Sequence, residues 1–235
     1  MPNHVTNRLT IKADSARINE IFNHIKRENE KSEDKASCIG TIDFNKVIPM
    51  PDDLNIQAHS GIITAAEYAM KDKFSDYPPL ASLEKHNRAS AKSPLEFTDE
   101  EWNLFIKVLN NRRKYGAYTW YEWSRENWGT KWNAYEQPDK RNSENQIFFQ
   151  TAWACPFKVI SALSKAYPDV EFEIAWADED LGCNIGSATF LNGEKTSENE
   201  PEGGSLAAKK MFFDITQDTL EQHNMNKNYE YIGED

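Results

Sequence analysis

Val170-Glu171-Phe172-Glu173-Ile174-Ala175-Trp176 places Val170, Phe172, Ile174 and Trp176 on one side of an extended chain and two carboxylates on the other. A period of two predicts a half-exposed strand. Asp178 to Gly182 has turn composition, and Ile185 to Leu191 is expected to return antiparallel, closing a hairpin. Upstream, Pro156 begins a helix carrying Val159, Ile160, Leu163 and Tyr167, and before it Ile147, Phe149, Thr151 and Trp153 share one face of another strand. That strand-then-helix order repeats an opening pattern. Val5, Leu9 and Ile11 read as a strand, and Asp14-Ser15 offers a cap before Ile18, Ile21, Phe22 and Ile25 at helical spacing.

The rest of the chain is placed around these pieces. After the polar stretch Asn29 to Ser37, a strand is expected around Ile42 to Ile48, ended by Pro49-Met50-Pro51. Apolar positions return at helical spacing from Ile62 to Phe74, and Asp76 to Pro94 is polar. Thr98-Asp99-Glu100-Glu101 is a capping box before Trp102, Phe105, Ile106 and Leu109. Downstream, Asn192 to Ser205 reads as a polar loop, Met211, Phe212, Phe213 and Ile215 as a last strand, and Gln217 to Asp235 as a tail too polar for an element. The expected fold class is α+β, a ferredoxin-like antiparallel sheet with helices on one face. It is read as a single domain over 1–235, with a mainly helical insertion at 61–114 and an acidic C-terminal part at 169–235.

At 235 residues the chain can bury a core without covalent staples. Its three cysteines, Cys38, Cys155 and Cys183, are widely separated, which argues for a reducing compartment. Neither a signal peptide nor an apolar run of membrane-spanning length is present, so a cytoplasmic protein without a membrane role is expected. The formal net charge is −11, and residues 169–235 hold 16 acidic side chains against 4 basic ones. Such a field repels nucleic-acid phosphates and attracts basic protein surfaces.

Several phrases carry a resemblance: Met1-Pro2-Asn3-His4-Val5, Val47-Ile48-Pro49-Met50-Pro51, Trp128-Gly129-Thr130-Lys131-Trp132-Asn133-Ala134-Tyr135, Thr151-Ala152-Trp153 with Pro156, and Asp178-Glu179-Asp180-Leu181-Gly182. In these the chain resembles a family of uncharacterised proteins from bacteriophages and conjugative plasmids, the YubB type, described as containing a ferredoxin-like domain. The resemblance implies an accessory protein of a mobile element working in a bacterial cytoplasm. It implies no activity, and no site residue is carried over from it.

The usual nucleotide, hydrolase and metal signatures are missing, and His4, His24, His59, His86 and His223 are scattered, so no catalytic residue, metal or cofactor is assigned. Asp178 to Asn184 lacks the later glutamate of a Ca²⁺ loop and reads as an acidic turn projecting three carboxylates into solvent. Asp178, Glu179 and Asp180, with Glu198, Glu200 and Glu202, are the candidate protein-binding residues. Tyr115 to Tyr135 packs eight aromatic residues into twenty-one positions. Trp120, Trp123, Trp128 and Trp132 belong either to the core, Trp128 and Trp132 recurring at helical spacing, or to a contact surface, with Arg125 and Lys131 between them. Lys107, Arg112, Arg113 and Lys114 complement a helix C-terminus.

The expected function is that of a non-enzymatic binding protein that occludes a host protein bearing a basic surface, as a counter-defence inhibitor of the anti-CRISPR kind would. The alternative is a single-stranded nucleic-acid (RNA) binding module, since ferredoxin-like sheets resemble RNA-recognition domains, although no stretch matches their aromatic signature and the net charge opposes it.

Overall fold

A computed structural model describes residues 3–28 and 39–232. The polar stretch expected at Asn29 to Ser37 and Cys38 lie outside the described residues. Two compact units divide the chain: Met1–Pro49 with Ser124–Asp235, and Met50–Trp123. The sequence reading had one domain with an insertion at 61–114, which falls inside the second unit.

The first unit is built on β1 (His4–Lys12), α1 (Ser15–Ile25) and α2 (Phe44–Val47). Asp14 caps α1, its side chain accepting from Arg17 N at 2.9 Å. The strand expected at Ile42 to Ile48 is instead the single helical turn α2. Its neighbouring backbone groups bond to side chains rather than a ladder: Asn133 Oδ1 accepts from Phe44 N, and Gln137 both accepts from Ile42 N and donates to Ile42 O, at 2.8 to 2.9 Å.

A five-stranded antiparallel sheet follows, ordered β2-β1-β3-β4-β5, where β2 is Gln146–Ala152, β3 Glu171–Asp178, β4 Ile185–Leu191 and β5 Glu194–Asn199. β1 is antiparallel to both β2 and β3, so those two run parallel on either side of it. The helix α7 (Phe157–Ala166) is the crossover between them. On one face, Val5, Leu9, Ile11, Phe149, Phe172 and Ile174 are buried beneath α1, α2 and α7. Phe157 of α7 meets Trp176 edge-on at 4.8 Å, and Phe44 of α2 meets Phe149 at 6.1 Å. Gly186 faces Trp176 across the ladder, where a Cβ would stand 2.5 Å from the indole, so only glycine fits.

Two expectations fail beyond β4. The predicted polar loop at Asn192 to Ser205 contains β5, joined to β4 by Asn192-Gly193 at φ 50° and 85°, a two-residue turn that matches the twist of the strands it connects. The strand expected around Met211 to Ile215 is the helix α8 (Leu206–Thr216), capped by Ser205 accepting from Ala208 N at 3.1 Å. Ala208, Phe212 and Ile215 form its buried stripe. They pack on Ala175, Ala177 and Ile185, the face of the sheet opposite α7. The crossover helices thus share one face as expected, while α8 covers part of the other.

The second unit is helical: α3 (Ser60–Met70), α4 (Pro78–Ala89) and α5 (Asp99–Tyr115). The capping box at Thr98 and Glu101 forms, and Gly116 closes α5 at φ 75°. Ile62, Ala65, Ala66, Phe105, Val108 and Tyr118 make its core. The short α6 (Trp120–Asn127) follows. Among the described residues, no helix is long and apolar enough to cross a membrane.

Candidate functional site

The start of β1 and the ends of β2 and β3 meet at one end of the sheet, where His4 pairs with Ala152 and Val5 with Asp178. Phrases scattered along the sequence converge here. Asp178 is 5% exposed, and its carboxylate accepts from Asn3 Nδ2 at 3.0 Å, Asn184 Nδ2 at 3.0 Å and Asp180 N at 3.1 Å. The expectation that this turn projects three carboxylates into solvent is corrected for Asp178, which shapes the turn from inside because a buried charge needs such donors. Asp180 is exposed but accepts from Asn3 Nδ2 at 2.9 Å, and Glu179 is exposed.

The Trp128 to Tyr135 phrase braces the same end. Trp128 is buried, donating its indole N–H to Ile48 O at 2.9 Å and meeting Phe44 edge-on at 5.8 Å. Thr130 Oγ1 donates to Ala152 O at 2.7 Å and accepts from Ala152 N at 3.2 Å. Asn133 Nδ2 donates to Asp43 Oδ1 at 2.7 Å. Tyr135 pairs its backbone with Gln150, and its hydroxyl lies 2.6 Å from His4 Nδ1. Burial, with Glu179 and Glu136 nearby, pushes the Tyr135 hydroxyl up to about 12. The helical spacing expected for Trp128 and Trp132 is not realised, since both follow the end of α6 at Asn127. Of the other two, Trp123 is buried and Trp120 half-buried, edge-on to Tyr121 at 5.7 Å.

Trp153, expected on the strand face, lies one residue beyond β2 at φ 75° with its side chain 39% exposed. The left-handed region is costly for a bulky residue. It is held there through the peptides on both sides of the residue: Trp153 N donates to Asn3 O at 2.9 Å, and Asn184 Nδ2 donates to Trp153 O at 3.1 Å. Lys131 Nζ lies 4.5 Å from the Trp132 ring centre and 5.1 Å from that of Trp153, and Arg125 Cζ lies 5.9 Å from the latter. The result is a half-open array of two indoles and two cations.

On the face of the sheet carrying α8, an open cleft of about 1180 Å³ is floored by Thr6 and Gln150 and walled by Asp139, Asp218 and His223. His223 Nε2 is 2.9 Å from Asp218 Oδ2. The Arg141 guanidinium forms two bonds to Asp139 and one to Thr216 O at 2.6 to 2.9 Å, and Arg141 N donates a further bond to Asp139 Oδ1 at 2.8 Å, holding the Asp139 carboxyl below the usual range. Among the described residues, no three His, Cys, Asp or Glu side chains gather as metal ligands. Cys155 and Cys183 are free, the Cys155 thiol being raised by burial. Lys114 and Arg112 at the end of α5 bond to Asp53 and Asp72 at 3.1 and 3.2 Å.

Comparison with known proteins bears on the same segment. Residues 128–223 match the family model described as "Ferredoxin-like domain in Api92-like protein". This segment is a ferredoxin-like domain. It begins at Trp128, the first residue of the bracing phrase, and takes β1, which lies outside the match, between its strands β2 and β3. A crystal structure of the protein Api92 from Yersinia pseudotuberculosis is similar at 9% identity and a TM-score of 0.39, covering 87% of this chain and 100% of that one. No curated protein matches the chain.

The remaining predicted residues lie at the far edge of the domain. Every side chain of β5 is exposed, Glu198 is ion-paired with Lys195, and Glu200 and Glu202 follow in an exposed segment. Trp153 was read as a strand residue and part of the resemblance, without a site role, and neither the His4–Tyr135 contact nor the Asp218–His223 pair was expected from the sequence. The Asp178 to Gly182 turn and the Trp128 phrase were the signals adjacent to the first two.

Proposed function

We propose that the protein is a non-enzymatic binding protein, an accessory factor of a phage or plasmid, that occludes a basic surface of a host protein. The observation that carries this reading is β5, an edge strand with every side chain exposed and, among the described residues, no strand on its outer side. An open edge is a template for an added strand, and its side chains choose the partner. Residues 169–202 contain ten carboxylates and one lysine. Among the described residues Glu179, Glu194, Glu200 and Glu202 have no ion-pair partner, so their field faces outward. Carboxylates displayed along an edge suit a protein whose basic groove otherwise accepts phosphates, and a nucleic-acid-handling defence effector such as a CRISPR nuclease is of that kind.

The test is affinity capture from nuclease-treated bacterial lysate, comparing the native chain with a quadruple Glu194→Lys, Glu198→Lys, Glu200→Lys, Glu202→Lys variant. A stoichiometric partner held by the first and lost by the second supports the proposal. Equal capture by both would sink it.

A further inference from the structure

We infer that Trp153, with Trp132, Lys131 and Arg125, forms a second site of different chemistry, a stacking platform for one or two bases of single-stranded nucleic acid. It does not depend on the acidic edge. The argument starts from the backbone. Position 153 takes φ 75°, where glycine or asparagine would be at ease and a tryptophan is strained. The donor Asn184 and the acceptor carbonyl of Asn3 that clamp residue 153 act on its main-chain atoms. These two bonds fix the backbone of residue 153 and leave the choice of side chain to other contacts. The residue is also 39% exposed, so part of the indole faces solvent. Strain combined with exposure is the pattern of a residue displayed for contact.

The neighbours decide what is contacted. Lys131 and Arg125 stand 5.1 and 5.9 Å from the centre of that ring, and Lys131 also stands 4.5 Å from Trp132. A ligand with a flat π-face and an adjacent negative charge fits this set, the face lying on an indole and the charge meeting the ammonium and guanidinium. A nucleotide has both. The acidic turn next door limits the footprint, because Asn3, whose carbonyl accepts from Trp153, also donates to Asp180 at 2.9 Å. A phosphate chain running that way would be repelled, so the platform takes a base or two at a strand end or in a loop and does not track a long strand.

The experiment is fluorescence anisotropy of a labelled oligouridylate of about twelve residues against the full chain at low salt, with thermal melts of each variant. The native chain is expected to bind saturably, with log K falling against log salt at a slope of about −1.4, the value for two phosphate contacts to a single strand. Trp153→Asn is expected to weaken binding about tenfold or more while leaving the melting temperature unchanged or higher, since asparagine relieves the strain. Arg125→Glu with Lys131→Glu should abolish binding in a folded protein. Absence of saturable binding by the native chain overturns the proposal. So does a Trp153→Asn variant that melts several degrees lower and binds as well as the native chain, which would make the indole a packing group. Loss of a captured host protein by Trp153→Asn, without any oligonucleotide binding by the native chain, would identify a protein contact and equally end the nucleic-acid proposal.

Discussion

The two units bury apolar surface in different ways. In the ferredoxin-like unit each central strand contributes a row of side chains to a face closed by helices, and Leu9, Ile11, Phe149, Phe172 and Ile174 are essentially inaccessible. In the helical unit the core is small, and Tyr68, Tyr77, Leu83 and Leu95 stay exposed, Leu95 at 94%. Its interior is completed by polar contacts. Tyr118 Oη donates to Asp72 Oδ2 at 3.0 Å, Arg112 pairs with the same carboxylate at 3.1 Å, and Asn111 donates to Asp53 O at 2.9 Å and Tyr118 O at 3.1 Å. A sheet supplies long-range neighbours for every second residue, whereas a short helix bundle buries one stripe per helix and leans on hydrogen bonds for the remainder.

The sharpest test of this contrast is Phe44→Ala. Phe44 is fully buried between Trp128 and Phe149, so truncation should cost about 3–5 kcal/mol and lower the midpoint of a denaturant transition followed in the sheet unit. Asp72→Ala, which strips Tyr118 and Arg112 of a shared acceptor, should cost about 1–3 kcal/mol. Amide exchange should rise in α3 and α5 and leave β1 and β3 protected. If Asp72→Ala instead opens the sheet, the two units unfold as one cooperative body. Leu95→Ser should change stability by less than about 0.5 kcal/mol, since the side chain has little to lose.

Acid separates the units more gently. Arg141 lowers the Asp139 carboxyl in the folded state, so its contribution is complete above the ordinary carboxylate value of about 3.9 and is lost as pH falls through the folded value. Melting curves of the native chain and Asp139→Asn should therefore differ at neutral pH and converge in acid. Glu67 in the helical unit has the opposite sign: burial raises it, so its charged form opposes folding at neutral pH and protonation relieves the cost. Glu67→Gln should accordingly narrow its difference from the native chain as pH falls.

The strands β1, β2, β3 and β4 and the helices α1, α5 and α7 were legible because their apolar residues recur at a period of two or near 3.6 and their caps use standard side chains. β5 was not, because an edge strand with six exposed polar residues has no burial to write a pattern; the Asn192-Gly193 pair was its one local signal. α8 was misread because Met211-Phe212-Phe213 looks like a strand when Ser205, its cap, is overlooked. α2 was misread because its backbone partners, Asn133 and Gln137, come from about ninety residues away.

The candidate sites divide along the same line. That the C-terminal part is acidic, and that Glu198, Glu200 and Glu202 sit in a polar stretch, follows from composition alone, since charge is a property of residues before they fold. Whether a carboxylate points outward or inward is a matter of what surrounds it, so the burial of Asp178 among Asn3, Asn184 and the Asp180 amide emerged only with the packed chain. The same holds for Trp153. Alternation placed it in a strand, and the left-handed turn that presents it to solvent beside Lys131 and Arg125 is imposed by contacts with Asn3 and Asn184, residues 150 and 31 positions away, which no local window contains.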